Sequence, residues 1–468
     1  MLPTLKDTIA AISTPHGQGA ISVIRLSGTK SPEILEKIFK PNKNISKIKY
    51  HTLYHGKILK NNEIVDDVLI SCMPERRSYT GESMVEIFGH GGNAAPQEVL
   101  SAALNAGARL AQPGEFTYRA LRHGKMDLTQ AEAVFDVIHA KNKSALILAQ
   151  KNLEGAFSKE IKEIRAAVLE VLVHTEAAID FSTEDIDVFP KEKINEKIIS
   201  VKIKMEAILG TYKSGRIFLE GAQVAIIGKP NVGKSSLLNA LLSRDRAIVT
   251  AQPGTTRDTL EEVFTYQGPT GGSLTMTLID TAGIREASNE IEKMGIEKTK
   301  QKIKNADIIL SLFDVSSPLT DEDLAILDLS ALKKRILVLN KIDLGANEET
   351  KTKLFENEAS SPRMRGCVEI SAAQKQGIET LLQKTYEYVL GEELNSETVY
   401  LTKERHRVGL EKALFYLAQF QAGLAQDRSF EFLALDLKDA VGSLEDIIGS
   451  VGLEDVYDQI FSTFCIGK

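Results

Sequence analysis

The chain has 468 residues, enough for about three domains at ~150 residues each. Its 43% hydrophobic and 26% charged residues exclude a wholly disordered chain, a collagen-like repeat and a disulfide scaffold. With 57 Lys plus Arg against 64 Asp plus Glu, a net of −7, it does not coat nucleic acid through bulk charge; any RNA contact needs a local patch or a basic partner.

Cys72, Cys367 and Cys465 stand far apart without a CxxC pair. That argues against a structural zinc site and for a reducing compartment. The first twenty residues lack a long apolar run, and no stretch approaches 18 apolar residues. Neither a secretory signal nor a membrane span is expected, and a cytoplasmic location is.

In chain order, residues 20–26, 63–72 and 83–88 read as strands, and 31–39 and 96–107 as helices, the second with Gly107 as C-cap. Residues 1–120 therefore read as an α+β domain. From 127 to 180 apolar residues recur at helical spacing. Another charged helix follows Pro190 and is expected to end at Gly215. The last 75 or so residues return to this helical style. One discontinuous all-α helical domain, 121–215 plus 391–468, is expected, with residues 216–390 inserted. In the insert QVAIIG, SLTMTLID, ADIILSLFDV and RILVLN read as buried parallel strands separated by amphipathic segments, a doubly wound α/β domain. The fold class expected is multidomain α/β.

The strongest motif is Gly228-Lys229-Pro230-Asn231-Val232-Gly233-Lys234-Ser235, set between a strand and a helix. Glycines let the backbone wrap phosphates, and N–H groups at the helix start attract anionic oxygens. Lys234 is expected on the β- and γ-phosphates and Ser235 on Mg²⁺. Asp280-Thr281-Ala282-Gly283 ends a strand, placing Asp280 towards Mg²⁺ and the Gly283 N–H towards the γ-phosphate. Asn340-Lys341-Ile342-Asp343 ends another. Asp343 accepts from the ring N–H and the exocyclic amine of guanine, a donor pair adenine lacks, so GTP is expected over ATP. Ser371-Ala372 supports the base pocket, and Pro253-Gly254-Thr255-Thr256-Arg257-Asp258 reads as a first switch, with Thr256 as second Mg²⁺ hydroxyl.

Ile284 stands where a Ras-like enzyme places its water-orienting Gln, so that task falls to Glu286, Glu290 or Glu292, which the residues alone do not separate. Asn231 offers a neutral amide oxygen beside the phosphates, suited to a monovalent cation or simply to shaping the loop. Outside the insert the signals are softer. His90 reads as a base, a ligand or a plain turn residue. The loop Pro113–Thr117 with Arg119, Arg122 and Lys125 reads either as an anion site or as a helix cap. Seven lysines and no acid lie between Lys37 and Lys60, a solvated sheet face or an RNA contact. Cys465 reads as an idle packing thiol or a reactive one near Lys468.

Taken together, P-G-E-F-T, T-G-E…G-H-G-G, M-D-L-T-Q-A-E-A, E-A-A-I-D-F, G-K-P-N-V-G-K-S, P-G-T-T-R-D, D-T-A-G-I-R-E, N-K-I-D and the terminal F-C-I-G-K resemble the MnmE (TrmE) family of tRNA-modification GTPases over essentially the whole chain. The resemblance implies an N-terminal tetrahydrofolate-binding, dimerising domain, the helical domain and an inserted P-loop G domain. It implies a homodimer that joins a flavoprotein, MnmG, as a heterotetramer. The pair would place a (carboxymethyl)aminomethyl group on C5 of wobble uridine 34 of certain tRNAs. The one-carbon unit would come from 5,10-methylene-tetrahydrofolate (or a 5-formyl analogue binds there), with FAD and NADH on the partner.

Residue by residue, the resemblance places Arg25, Glu86, Lys125 and Lys468 at folate, and Asn231, Thr250, Gln252 and Thr255 around K⁺. It selects Glu292 as the water-positioning glutamate, makes Arg285 a switch residue and Lys234 part of the catalytic set, and marks Cys465 as a suspected participant in the modification. Val232, Gly233, Ser236, Ala251, Pro253, Gly254, Thr281, Ala282 and Lys341 complete the expected GTP contacts. Two rival readings are a ribosome-assembly GTPase and a stand-alone folate-dependent one-carbon transferase.

Overall fold

The computed structural model describes residues 6–43, 48–180, 190–243, 261–269, 272–279, 306–331, 333–359, 364–390, 398–449, 457, 460–461 and 463–467. They divide into two compact units: Met1–Phe135, Asn152–Val201 and Lys412–Lys468 form one, Asp136–Lys151 and Lys202–Glu411 the other.

The first unit opens with strands β1 (Ile9–Ile12), β2 (Ile21–Ser27), β3 (Phe39–Pro41), β4 (Leu53–Lys60), β5 (Glu63–Met73), β6 (Met84–His90) and β7 (Arg109–Leu110). They form one sheet in the order β3-β4-β5-β6-β2-β1-β7, antiparallel except where β1 meets β7. Period-2 alternation decides which face is covered. Ile24, Leu26, Ile58, Val68, Ile70, Val85 and Ile87 pack beneath Ile34, Leu35 and Ile38 of helix Ser31–Ile38 and Val99, Leu100 and Ala103 of helix Ala94–Asn105. Each buried Val, Leu or Ile among them contributes about 1.5–3 kcal/mol by leaving water. Arg25 and Glu86 alternate onto the opposite face. Gly107 lies one residue past the cap Ala106 with φ 117°, as its reading as a helix stop expects.

The same unit holds helix Ala156–Asp180, packed along helix Phe430–Ile448. Ile161, Ile164, Val168 and Val171 recur at helical spacing and are buried, as are Leu433, Leu437 and Leu444 opposite. Arg165 reaches Glu445, and Lys438 pairs with Glu176 at 2.6 Å. Segments some 250 residues apart in sequence thus share one helical layer, the discontinuous all-α arrangement expected.

The second unit is built on β8 (Ala222–Ile227), β9 (Glu261–Gln267), β10 (Ser273–Ile279), β11 (Ile308–Asp314), β12 (Arg335–Asn340) and β13 (Met364–Glu369), ordered β13-β12-β11-β8-β10-β9. Val224, Ile226, Leu310, Leu312, Ile336 and Val338 face one apolar cluster with helix Lys234–Leu242. Ala225, Ile227, Ile309, Phe313, Leu337 and Leu339 face the other side. Burial on both faces is why these strands read as unbroken apolar runs. The sheet is parallel except for β9, which pairs antiparallel to β10 through a hairpin closed by Gly268 N–H to the Gly272 carbonyl at 2.8 Å.

One helix end differs from expectation. Helix Lys191–Gly210 stops at Thr211, and a second helix, Tyr212–Glu220, carries Gly215 inside it. Gly221, at φ 96°, is the true stop. Gly215 serves a close approach instead: a β-carbon there would collide with the Leu401 carbonyl. Phe218 and Tyr400 stack edge-on 5.5 Å apart beside it.

Candidate functional site

The phosphate loop leaves β8 and enters helix Lys234–Leu242 through Gly233, at φ 104°. Asn231 also takes a left-handed φ of 60° at an exposed crest. Two such left-handed turns in so short a loop are the backbone shape in which successive N–H groups can gather around an anion. The Lys234 ammonium donates to the carbonyls of Gly228 and Lys229, both at 2.8 Å. Ser235 and Ser236 are exposed on the first turn, and Val232 is buried. The site lies at the C-terminal ends of parallel strands, where β8 is flanked by β10 and β11: the switch point of a doubly wound sheet.

Asn340 ends β12 and is 2% exposed. Its Nδ2 donates to the Val232 carbonyl at 2.8 Å, and its Oδ1 accepts the Ala372 N–H at 2.9 Å. One side chain therefore ties the phosphate loop to the Ser371-Ala372 loop. Ser371 is fully buried and its hydroxyl accepts from the Gln374 N–H at 3.1 Å. Lys341 turns with φ 69° and donates to Asp314 Oδ2 at 2.6 Å. Burial raises the Asp314 pKa, but the hydrogen bonds from Lys341 and Ser316 hold it below the ordinary carboxylate range. Asp343 is exposed on the short 3-10 turn Ile342–Leu344, directly after Lys341.

Thr250, Ala251, Gln252, Pro253, Gly254, Thr255, Thr256, Asp280, Thr281, Ala282, Gly283, Arg285, Glu292 and Lys468 lie outside the described residues. Arg257, Asp258, Ile284, Glu286 and Glu290 do as well.

In the first unit Arg25 and Glu86 are direct cross-strand partners, bonded Nε to Oε1 at 2.8 Å. Arg25 also lies 5.6 Å from the Tyr79 ring centre. Lys125 is exposed and donates to the Arg76 carbonyl at 3.1 Å. The C-terminal tail returns to this unit: Ile466 bridges to Pro113, and Ser13 donates to the Gly467 carbonyl at 2.9 Å. Cys465 is exposed there, whereas Cys72 is buried and its thiol pushed up to about 11.

Arg119 overturns its reading as part of an anion site. It is wholly buried, donating to Asp7 Oδ1 at 2.6 Å, Glu115 Oε1 at 2.9 Å and Glu82 at 3.1 Å, so its charge is spent inside the domain. Gly114, at φ 68°, is the cap before helix Glu115–Arg122. His90 is neither an isolated turn residue nor part of a metal cluster among the described residues. Its Nδ1 meets the buried Asp66 at 2.6 Å, and its own N–H reaches the same carboxylate at 2.8 Å. Of the lysines between Lys37 and Lys60, Lys60 pairs with Glu98 at 2.6 Å, and Lys40 and Lys43 are exposed.

Comparison with known proteins agrees with this geometry. A profile of the MnmE helical domain matches residues 128–465, and one of the GTP-binding protein TrmE N-terminus matches 8–125. A tRNA modification GTPase MnmE of Clostridioides difficile (strain 630) is 42% identical over 469 residues, covering 99% of this chain and 100% of that one. The chain belongs to the MnmE family of tRNA modification GTPases. Relatives of the same description from Carboxydothermus hydrogenoformans and Ligilactobacillus salivarius are each 40% identical, over 99% and 100% of this chain and 100% and 99% of theirs.

As an MnmE-family member it is a P-loop GTPase of tRNA modification. Its MnmE-type architecture is an N-terminal α+β domain, a discontinuous helical domain and an inserted doubly wound G domain. No helix among the described residues is long and apolar enough to cross a membrane. Two contacts of this MnmE-family site were missed in the motifs. The Asn340 bridge was one, though N-K-I-D had marked the residue. The other joins Lys229 to Asp323, and only the folded chain brings that pair together.

Proposed function

We propose that this chain is the GTP-hydrolysing, potassium-activated half of a complex that, with an MnmG flavoprotein, adds a (carboxymethyl)aminomethyl group to C5 of uridine 34 of certain tRNAs. The observation that carries the nucleotide part is the pair of hydrogen bonds by which Asn340 donates to the Val232 carbonyl and accepts from the Ala372 N–H, joining the phosphate loop to the loop read as the base pocket. Lys234 would contact the β- and γ-phosphates, and exposed Asp343 would accept the two guanine donors.

The donor set fits the expected ions. Ser235 presents a hydroxyl on the first helical turn, suited to Mg²⁺ with Thr256. Asn231 presents a neutral amide at the loop crest, suited to K⁺ with Thr250, Gln252 and Thr255. A bound K⁺ supplies positive charge where the transition state gathers negative charge. Glu292 would orient the attacking water, and Arg285 would act from the second switch. With GTP bound, the G domains of a homodimer pair; hydrolysis lets them part, and that motion drives the modification.

The same reading gives Arg25, Glu86, Lys125 and Lys468 to a tetrahydrofolate carrying the one-carbon unit, either 5,10-methylene or a 5-formyl analogue. Cys465 would sit near the reacting end. FAD and NADH belong to the partner, and two copies of each chain make a cytoplasmic heterotetramer. Domain limits of 1–120, 121–215, 216–390 and 391–468 accompany it.

GTP turnover in K⁺ against Na⁺, for wild type and Asn231→Ala, tests the ion-dependent core. Faster turnover in K⁺ that Asn231→Ala abolishes supports it. Equal turnover in both salts, unchanged by Asn231→Ala, rejects it.

A further inference from the structure

We infer that Lys229 and Asp323 form a positioning pair for the phosphate-contacting lysine, a role no phosphate-loop motif assigns to the second residue of G-K-P-N-V-G-K-S. The inference rests on the reading of Lys234 as that lysine.

Lys229 follows the first glycine of the loop, and its side chain reaches helix Asp321–Ser330. Its ammonium donates to Asp323 Oδ2 at 2.7 Å, with side chains 16% and 2% exposed. Asp323 stands in the first turn of helix Asp321–Ser330. Its Oδ2 also accepts the Thr320 N–H at 2.9 Å and the Thr320 hydroxyl at 2.8 Å. Its Oδ1 is buried and has no hydrogen-bond partner among the described residues. Among the described residues, Lys229 is the one cation in ion-pair contact with this carboxylate.

A buried carboxylate held by a single ammonium is a rigid anchor, since the alternative is an uncompensated charge. Its effect reaches the chemistry through one backbone atom. The carbonyl of Lys229 accepts the Lys234 ammonium at 2.8 Å, beside the Gly228 carbonyl at the same distance. Fixing the Lys229 side chain fixes its peptide, and so fixes one of the two acceptors that aim Lys234. Pro230 next in the chain removes a backbone donor and a soft φ, so little slack remains between anchor and loop. Gly228 adds to this: a β-carbon there would lie 2.7 Å from the Leu312 carbonyl and 2.8 Å from Val232 Cγ1, so the loop base lies tight against β11.

The test uses the full chain, with Lys229→Met, Lys229→Arg, Asp323→Asn, the Lys229→Met/Asp323→Asn double variant and Lys234→Ala. Single-turnover GTP hydrolysis, affinities for GTP and GMP, and thermal melting are measured for each. We expect Lys229→Met to slow hydrolysis by roughly ten- to a hundredfold. It weakens GTP binding while sparing GMP, which lacks the phosphates Lys234 meets. Lys229→Arg recovers most of the rate. The double variant is no slower than Lys229→Met alone, the signature of two residues acting as one unit. Hydrolysis unaffected in Lys229→Met but lost in Lys234→Ala overturns the pair and leaves the Lys234 reading standing. Equal loss of GTP and GMP binding that follows the melting temperature reduces the pair to a structural contact and also overturns it. Retained hydrolysis in Lys234→Ala removes the reading on which the pair rests.

Discussion

Asn340 occupies the space a side chain on Gly233 would need: a β-carbon there would fall against Asn340 Nδ2, far inside van der Waals contact. The glycine is thus demanded twice, by a φ of 104° and by the amide that ties the phosphate loop to the Ser371-Ala372 loop. Gly233→Ala should displace Asn340, release the Val232 and Ala372 bonds together, and lower GTP affinity by roughly a hundredfold or more. Calorimetric titration with GTP checks this. Asn340→Ala should reproduce the loss without the backbone strain.

Base choice is expected to rest on Asp343, whose exposed carboxylate would accept two donors from guanine. Asp343→Asn replaces one acceptor by a donor. It should weaken GTP binding by roughly a hundredfold and favour xanthosine triphosphate, which offers the complementary pattern. Competition between the two nucleotides reads this directly. Unchanged preference for guanine would place the base elsewhere.

Gly215 carries a prediction about stability, not nucleotide. A β-carbon there meets the Leu401 carbonyl, and Leu401 N–H donates to Thr211 Oγ1 at 2.9 Å just beside it. Gly215→Ala should destabilise the fold by about 1–3 kcal/mol, the range for overpacking, although alanine favours helices elsewhere. Denaturant unfolding measures it. A stabilised variant would show that the segments separate easily.

The Asp66–His90 pair predicts a pH dependence. The hydrogen bond and charge of Asp66, with Asp67 adding, hold the His90 imidazolium above its ordinary range. A raised folded pKa stabilises below the unfolded value of about 6.5 and loses that benefit as pH rises through the folded value. The melting temperature of wild type should therefore exceed that of His90→Gln at pH 6, and the gap should shrink at pH 9. His90 is 72% exposed, so the gap is small. Gly89→Ala should erase it, since a β-carbon at Gly89 would strike Asp66.

Motifs and strands were legible because local chemistry dictates them. The G-x-x-x-x-G-K-S spacing needs its strand and helix, and Ile308–Asp314 reads as a strand because both its faces are buried. The antiparallel β9 was not legible, since its direction depends on a hairpin at Gly268–Gly272 and not on strand composition. Gly215 was read as a helix stop because a glycine in a helix looks alike whether it ends the helix or admits a neighbouring carbonyl. Arg119 and Lys229 were opaque for a shared reason. Apart from Glu115, four residues before Arg119, their partners Asp7, Glu82 and Asp323 lie 37 to 112 residues away in sequence, so most of the charge pairing left no local trace.

Nucleoside mass spectrometry of bulk tRNA from cells lacking this chain, complemented with wild type or Lys234→Ala, tests the central claim most directly. The account predicts that the C5-modified wobble uridine vanishes without the chain, returns with wild type and stays absent with Lys234→Ala. Unchanged tRNA in cells lacking the chain would contradict it and turn attention to ribosomal particles.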